Sequence, residues 1–356
     1  MIRLLTYRCP LHTSFRAAGQ EWTHRSGLLI EWVDGEDGWV SEAAPLPGRS
    51  PDRLEEVIDA CRMHRHHLAD WIRDRESIRE ELPPSLLFAL SALRLQLRES
   101  RTADRPTDNP EDRSRDCLLQ MNGVVGLGSP DTLDPAIRTA LRDGYTTIKV
   151  KLNSEPASRI ETLRNLSGEY PHLRLRIDAN QSWTWNDARH WLDELSSLPV
   201  DYCEEPLRDP TLDNLEKLQQ VSTVRIALDE SLSTIRNLRN AVRCQSITTY
   251  VLKATILGDL EQISRTIGEI PRPIQTIWTS SLESAVARTT LRRAACEWGT
   301  PGCAHGLDTG SLFQHDLIDP RLLPKKEQGP VRPDILNRYW ALPSRLLDRA
   351  GLREIV

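Results

Sequence analysis

Thr147-Ile-Lys-Val-Lys-Leu152 is a short apolar run that carries two lysines, and five runs of the same kind follow it. They are Leu173-Arg-Leu-Arg-Ile-Asp178, Tyr202-Cys-Glu-Glu205, Val224-Arg-Ile-Ala-Leu-Asp229, Tyr250-Val-Leu-Lys253 and Ile274-Gln-Thr-Ile-Trp-Thr279. The polar residues near their ends, Lys151, Asp178, Glu204, Asp229, Lys253 and Thr279, recur every 24 to 27 residues. Short apolar runs of this kind read as buried strands, and the interval leaves room for a helix between each pair. The clearest helix spans 184 to 198, with Trp185, Ala188, Trp191, Leu192 and Leu195 on one face and Thr184 and Asp187 forming a capping box at its start. The pattern predicts a parallel α/β array. A (β/α) barrel of the TIM type fits better than a doubly wound sheet, because polar residues close one strand after another, and in such barrels the C-terminal rim carries the active site.

Three of the closing residues are acids: Asp178, Glu204 and Asp229. Three carboxylates converging on one barrel mouth repel each other unless positive charge sits among them. Hard oxygen ligands in that number suit Mg²⁺. Side chains alternate along a strand, so only one of Glu204 and Glu205 can face the axis; the residues alone leave that choice open. Of the 46 Lys and Arg residues only six are Lys, so Lys149, Lys151 and Lys253 in apolar strands invite a chemical reading. Arg stays protonated at any working pH, whereas Lys can release its proton. A metal held by three acids, with lysines on two sides, suits removal of a proton beside a substrate carboxylate.

Outward from the barrel, residues 1–100 read as an α+β domain, with strands at 27–33 and 39–43, a polar helical stretch from Pro51 to Arg79 and an amphipathic helix from Pro83 to Leu97. Residues 101–116 are polar and lack periodicity, which predicts a linker or exposed loop; 117–319 form the barrel, and the Pro-punctuated 320–356 run back over the N-terminal domain. A net charge of −5 is no footprint for nucleic acid, and no run is long and apolar enough to cross a membrane. The first ten residues, broken by Arg3 and Arg8, do not read as a signal peptide. Seven widely spaced cysteines without C-x-x-C predict neither a disulfide framework nor a zinc site, and a cytoplasmic protein.

The order K-x-K, D-A-N, E-E-P, D-E-S-L and then a strand-borne Lys resembles the enolase superfamily, whose use of a Lys or His base with Mg²⁺ is well described. Within it, Arg25-Ser-Gly27 and the segment from Glu42 to Gly48 resemble the capping-domain segments that close over the substrate, which makes residues 1–100, completed by 320–356, an α+β capping domain; the Pro-Leu-Pro-Gly of residues 45–48, Thr279-Ser-Ser-Leu-Glu-Ser284 and Gly306-Leu-Asp-Thr309 resemble the o-succinylbenzoate synthase family. The resemblance implies Asp178, Glu204 and Asp229 as Mg²⁺ ligands, with Mn²⁺ able to substitute. It implies Lys151 as the acid/base, Lys253 as the opposing cation, and Lys149, Arg176, Asn180, Thr279, Ser281 and Gly306 as substrate contacts. Thr279 stands where Ser is common, and Ala254 follows Lys253 where Pro is common. The implied reaction is a syn elimination of water from 2-succinyl-6-hydroxy-2,4-cyclohexadiene-1-carboxylate, giving 2-succinylbenzoate on the way to menaquinone or phylloquinone. The expected partner is a small carboxylate, with the oligomeric state left open, a monomer included. The rivals are an isomerase of the same superfamily (N-succinylamino-acid racemase, dipeptide epimerase or muconate cycloisomerase) and, more remotely, a non-catalytic binding barrel.

Overall fold

The computed structural model describes residues 1–17, 20–34, 37–103, 119–125, 130–153, 156–318 and 342–355. The chain begins with strands β1 (Ile2–Ala17), β2 (Gln20–Asp34) and β3 (Asp37–Ala43), then helices α1 (Leu54–Met63), α2 (Leu68–Ile72) and α3 (Pro84–Ala103). Next come β4 (Gln120–Met121), β5 (Gly123–Val125), α4 (Pro130–Arg142), β6 (Thr147–Lys151), α5 (Pro156–Glu169), β7 (Arg174–Asp178) and α6 (Trp185–Leu195). The array continues through β8 (Val200–Glu204), α7 (Leu212–Gln220), β9 (Ile226–Leu228), α8 (Ile235–Ala241), β10 (Thr249–Leu252), α9 (Ala254–Leu257) and α10 (Leu260–Gly268). It ends with β11 (Gln275–Trp278), α11 (Ala285–Trp298), β12 (Ala304–His305), β13 (Leu342–Pro343) and β14 (Arg353–Glu354).

Strands β5 to β11 pair in parallel in chain order. The ring closes through β12 and β4: Gly306 N donates to Trp278 O at 2.9 Å, Asn122 N donates to His305 O at 3.0 Å, and β12 pairs with β4. Counting the short β4–β5 pair as one, this makes a barrel of eight. Alternation fixes what each face does. Ile148, Val150, Leu175, Ile177, Cys203, Leu228, Leu252 and Trp278 point outward into the helical layer and share one core with the helices. Tyr202, Ala227, Val251 and Ile277 form a separate small cluster inside the ring. Above that plug the inward positions turn polar. The capping box at Thr184 is present: Asp187 N donates to Thr184 Oγ1 at 3.3 Å and Thr184 N to Asp187 Oδ2 at 3.3 Å.

The N-terminal sheet has the order β13-β3-β2-β1-β14. Both faces are buried. Leu4, Leu28, Ile30 and Trp32 pack on α1 to α3, while Leu5, Tyr7, Cys9, Leu11, Leu29 and Val40 pack against Ala285, Val286 and Phe313 of the barrel side. The 16-residue β1 was not expected: Arg3, Arg8 and Pro10 mask an alternation that becomes visible only beside β2. α3 runs six residues past Leu97, to Ala103. The expected linker lies almost wholly outside the described residues, as does 319–341. Cys9, Cys61, Cys203, Cys244 and Cys303 are free, but Cys296 is disulfide-bonded, against the expectation. Pairing depends on which sulfur the fold brings near α11, and sequence spacing does not reveal that.

Candidate active site

The register sets the site. Lys151 pairs with Asp178 across β6 and β7, Asp178 pairs with Glu204 across β7 and β8, and Glu204 pairs with Ala227 of β9. One level of the barrel therefore carries Lys151, two acids and, two residues beyond Ala227, Asp229. Asp178, Glu204 and Asp229 are all buried, at 5%, 1% and 5% exposure. Lys253 follows β10 as the N-cap of α9. It stands four strands from β6 in a ring of eight, so Lys151 and Lys253 face each other across the mouth.

Ammonium groups neutralise the acids. Lys149 Nζ donates to Glu204 Oε2 and lies 3.1 Å from Asp178 Oδ2. Lys253 Nζ donates to both Asp229 oxygens, at 2.6 and 2.7 Å. Burial opposes charge on Lys149, but Glu204, Asp178 and Asp229 outweigh it and raise its pKa well above the usual lysine range. Burial likewise opposes charge on Lys253, which Asp229 and Glu230 raise. Asp178 is held below the ordinary carboxylate range despite burial, by Lys149 and then Lys151. Among the described residues no three acids already converge as an ion-ready cluster. The donor chemistry still fits a hard cation: Asp178 Oδ1 and Glu230 Oε2 are buried with no hydrogen-bond partner, and the Lys149 ammonium shows that a positive group fits between Asp178 and Glu204.

The pair Glu204-Glu205 divides its labour. Glu204 faces the axis. Glu205 takes a left-handed backbone, with φ +42°, and turns toward the loop after β9. Its carboxylate accepts from Asp229 N and Ser231 N at 2.8 Å each and from Ser231 Oγ at 2.9 Å. It thereby fixes the backbone that presents Asp229. Burial pushes its pKa up to about 7. Glu230, unremarked in the sequence, accepts from Asn180 Nδ2 at 2.7 Å and lies 3.7 Å from Arg49 of the cap.

The expected substrate contacts separate. Asn180, Thr279, Ser281 and Gly306 stand at the strand ends. The Oγ1 of Thr279 donates to Gly306 O at 3.2 Å, and a Cβ on Gly306 would come within 2.5 Å of that same Oγ1, so the close approach requires glycine. Ser281 is buried with its Oγ unpartnered. Arg176 sits deeper than these. It is 1% exposed, one pleat below the mouth, where it donates to Asn122 Oδ1 at 3.0 Å and Ala304 O at 2.7 Å and stacks over Tyr202. Its guanidinium forms part of the barrel interior directly beneath the acids. Asn122 and His305 complete that layer; His305 Nδ1 accepts from Trp278 N at 3.1 Å. Two surface grooves, one between α6 and α7 and one beside α5, lie on the outer helical ring, away from these residues.

Residues 1–97 match the family described as MenC, N-terminal domain, and residues 133–268 match Enolase C-terminal domain-like. The o-succinylbenzoate synthase of Edwardsiella ictaluri is 30% identical over 328 residues, covering 88% of this chain and 92% of that one. This chain belongs to the o-succinylbenzoate synthase family of the enolase superfamily. The synthase of Salmonella newport is 31% identical over 304 residues, covering 83% of this chain and 86% of its own. Among solved structures, the o-succinylbenzoate synthase of Thermosynechococcus elongatus BP-1, complexed with Mg in its active site, superposes with a TM-score of 0.66 at 24% identity over 88% of this chain and 94% of that one. Muconate lactonizing enzyme from Pseudomonas putida reaches 0.76 at 14% identity, over 98% and 96%. Those two likenesses show the shared barrel and cap. In this enolase-superfamily member the cap meets residues that follow strand ends, through Arg49 with Glu230 and Arg25 with Leu282, so it covers the C-terminal rim.

Proposed function

We propose that the chain is an o-succinylbenzoate synthase, a hydro-lyase that removes water from 2-succinyl-6-hydroxy-2,4-cyclohexadiene-1-carboxylate to give 2-succinylbenzoate, in the cytoplasm, for menaquinone or phylloquinone synthesis. The observation that carries the reading is the placement of Lys151 and Lys253 across a mouth lined by Asp178, Glu204 and Asp229, in a chain of the synthase family. Those three acids would hold Mg²⁺, with Mn²⁺ able to substitute. Bound there, the ion supplies positive charge against the substrate carboxylate and so lowers the cost of ionising the adjacent C–H bond.

The chain's own residues account for the rest. Lys151 takes the proton from the carbon beside the carboxylate. It then returns that proton to the departing hydroxyl, which leaves from the same face, so one residue serves both steps. Lys253 on the opposite face faces the negative charge that develops between them. Lys149 neutralises Asp178 and Glu204 and places a cation near the incoming carboxylate. Asn180, Thr279, Ser281 and Gly306 line the path of the succinyl arm, and the cap excludes water.

The test is direct. The purified protein should aromatise the diene acid, followed by its ultraviolet spectrum, lose turnover on chelation, and regain it with Mg²⁺ or Mn²⁺. Full activity after exhaustive chelation would remove the metal assignment. Racemisation of an N-succinylamino acid with a kcat/KM equal to or above that for the diene acid would replace the synthase reading with the racemase one.

A further inference from the structure

Glu42 is wholly buried in the cap and is used by nothing in the mechanism. Its carboxylate crosses the seam between the cap sheet and the barrel. Oε1 accepts from Ser284 N at 3.0 Å and from the Tyr7 hydroxyl. Oε2 accepts from Ala287 N at 2.9 Å and from Ser284 Oγ. Three of the four donors therefore belong to the start of α11, whose free N–H groups and dipole favour a negative charge. Gly27 permits the arrangement: a Cβ there would lie 2.6 Å from the Tyr7 ring, so only glycine lets the ring reach across β2 to Glu42.

The segment that Glu42 grips is the end of the 279–284 loop. Arg25 holds the same loop from the cap, donating through Nε to Leu282 O at 2.9 Å while its other nitrogens hold Pro45 O and Ala44 O at 3.0 Å. Leu282 is in the left-handed region, φ +62°, a conformation that an L-residue keeps only when its surroundings enforce it. Inside the barrel the loop is tied by Glu283, which accepts from Ser280 Oγ and Ser281 N at 2.7 Å each and from Thr255 Oγ1 at 2.5 Å, two residues after Lys253. The loop is thus clamped on one side by the cap and on the other by the segment that bears Lys253, and it presents the unpartnered, buried Ser281 Oγ.

We propose that Glu42 is a positioning residue for substrate selection: by gripping the N-terminus of α11 from the cap, it sets the 279–284 loop at the height where that loop meets the succinyl arm. This rests on the synthase reading. The cap would then influence substrate affinity through a buried carboxylate, without touching the substrate.

The test uses the full-length protein and three variants. Glu42→Gln keeps the shape but replaces one acceptor oxygen with a donor facing Ala287 N and Ser284 Oγ. It should raise KM for the diene acid and the dissociation constant of 2-succinylbenzoate together, by about tenfold, with kcat changing less. Amide exchange at 281–287 should quicken in the same variant without any ligand. Tyr7→Phe removes one donor, keeps the ring, and should move the same quantities in the same direction by less; it carries the test if Glu42→Gln does not fold. Leu93→Ala, in the cap's own core, should lower thermal stability without moving KM. Unchanged KM and product affinity in an active Glu42→Gln protein would overturn the proposal, whether or not exchange quickens, as would an equal KM rise in Leu93→Ala. Wild-type protein that neither turns over the diene acid nor binds the product would instead refute the synthase reading, and this proposal with it.

Discussion

At the barrel mouth and in the collar around it, buried carboxylates are held by different kinds of partner. Asp178, Glu204 and Asp229 lean on the ammonium groups of Lys149 and Lys253. Glu42, Glu205 and Glu283 lean on backbone N–H groups and hydroxyls of neighbouring loops. An ammonium on a four-carbon stem can swing aside and give up its place to a cation or a substrate. A backbone N–H cannot move without the fold moving. The first set is therefore suited to chemistry and the second to holding that chemistry in place, although every member is a buried acid.

The largest expected effect breaks the mouth alone. Lys151→Met should lower kcat by roughly 10⁴-fold, the upper end of what one acid/base group contributes, while its thermal midpoint stays near wild type. Steady-state kinetics beside a thermal melt decide it, and a variant that loses stability instead of rate would place Lys151 in the collar class.

A sharper comparison exchanges the two adjacent glutamates. Glu205→Gln should destabilise the fold by about 1–3 kcal/mol, because buried backbone donors lose a charged acceptor. Glu204→Gln should cost little stability, since it relieves a crowded set of acids, yet weaken Mn²⁺ binding and abolish turnover. Urea melts of the metal-free proteins and a Mn²⁺ titration read both. If Glu204→Gln proved the more destabilising, the distinction between mouth and collar would fail.

His305 offers a smaller, pH-dependent effect. Burial, and then Arg176, lower its pKa from 6.5 to about 3. The folded ring is neutral while the unfolded one protonates, so its contribution is present above about pH 6.5 and is lost as pH falls toward 3, at up to ~1.4 kcal/mol per pH unit. His305→Asn, which can still accept from Trp278 N, should flatten the loss of stability between pH 6.5 and 4; equal slopes would show that other groups govern it. The smallest change lies far from both regions: Thr184→Ala removes the cap of α6 and should cost ~1 kcal/mol by denaturant melt, leaving kcat/KM as it was.

Much of the barrel was legible because its signals are local. Strand, acid and helix recur at one interval, and the capping box at Thr184 is spelled within four residues. Asp178, Asp229 and Lys253 could be placed at a common rim from spacing alone. The choice between Glu204 and Glu205 could not, since both orientations of one strand are consistent with its pattern; the left-handed turn at Glu205 separates them, and only neighbouring loops enforce that turn.

Sequence by itself determined the period of the array, which chemical groups end its strands, and hence the class of reaction those groups can perform. Tertiary structure alone decided what each group faces. Arg176 lies two residues before Asp178 and shares its inward side, but its partners Asn122 and Ala304 come from strands far away along the chain. Glu42 and Ser284 are 242 residues apart and bond directly. Such contacts join elements whose meeting is set by the burial of both faces of the cap sheet. That burial is a property of the packed layers and is spelled in no single stretch of the chain.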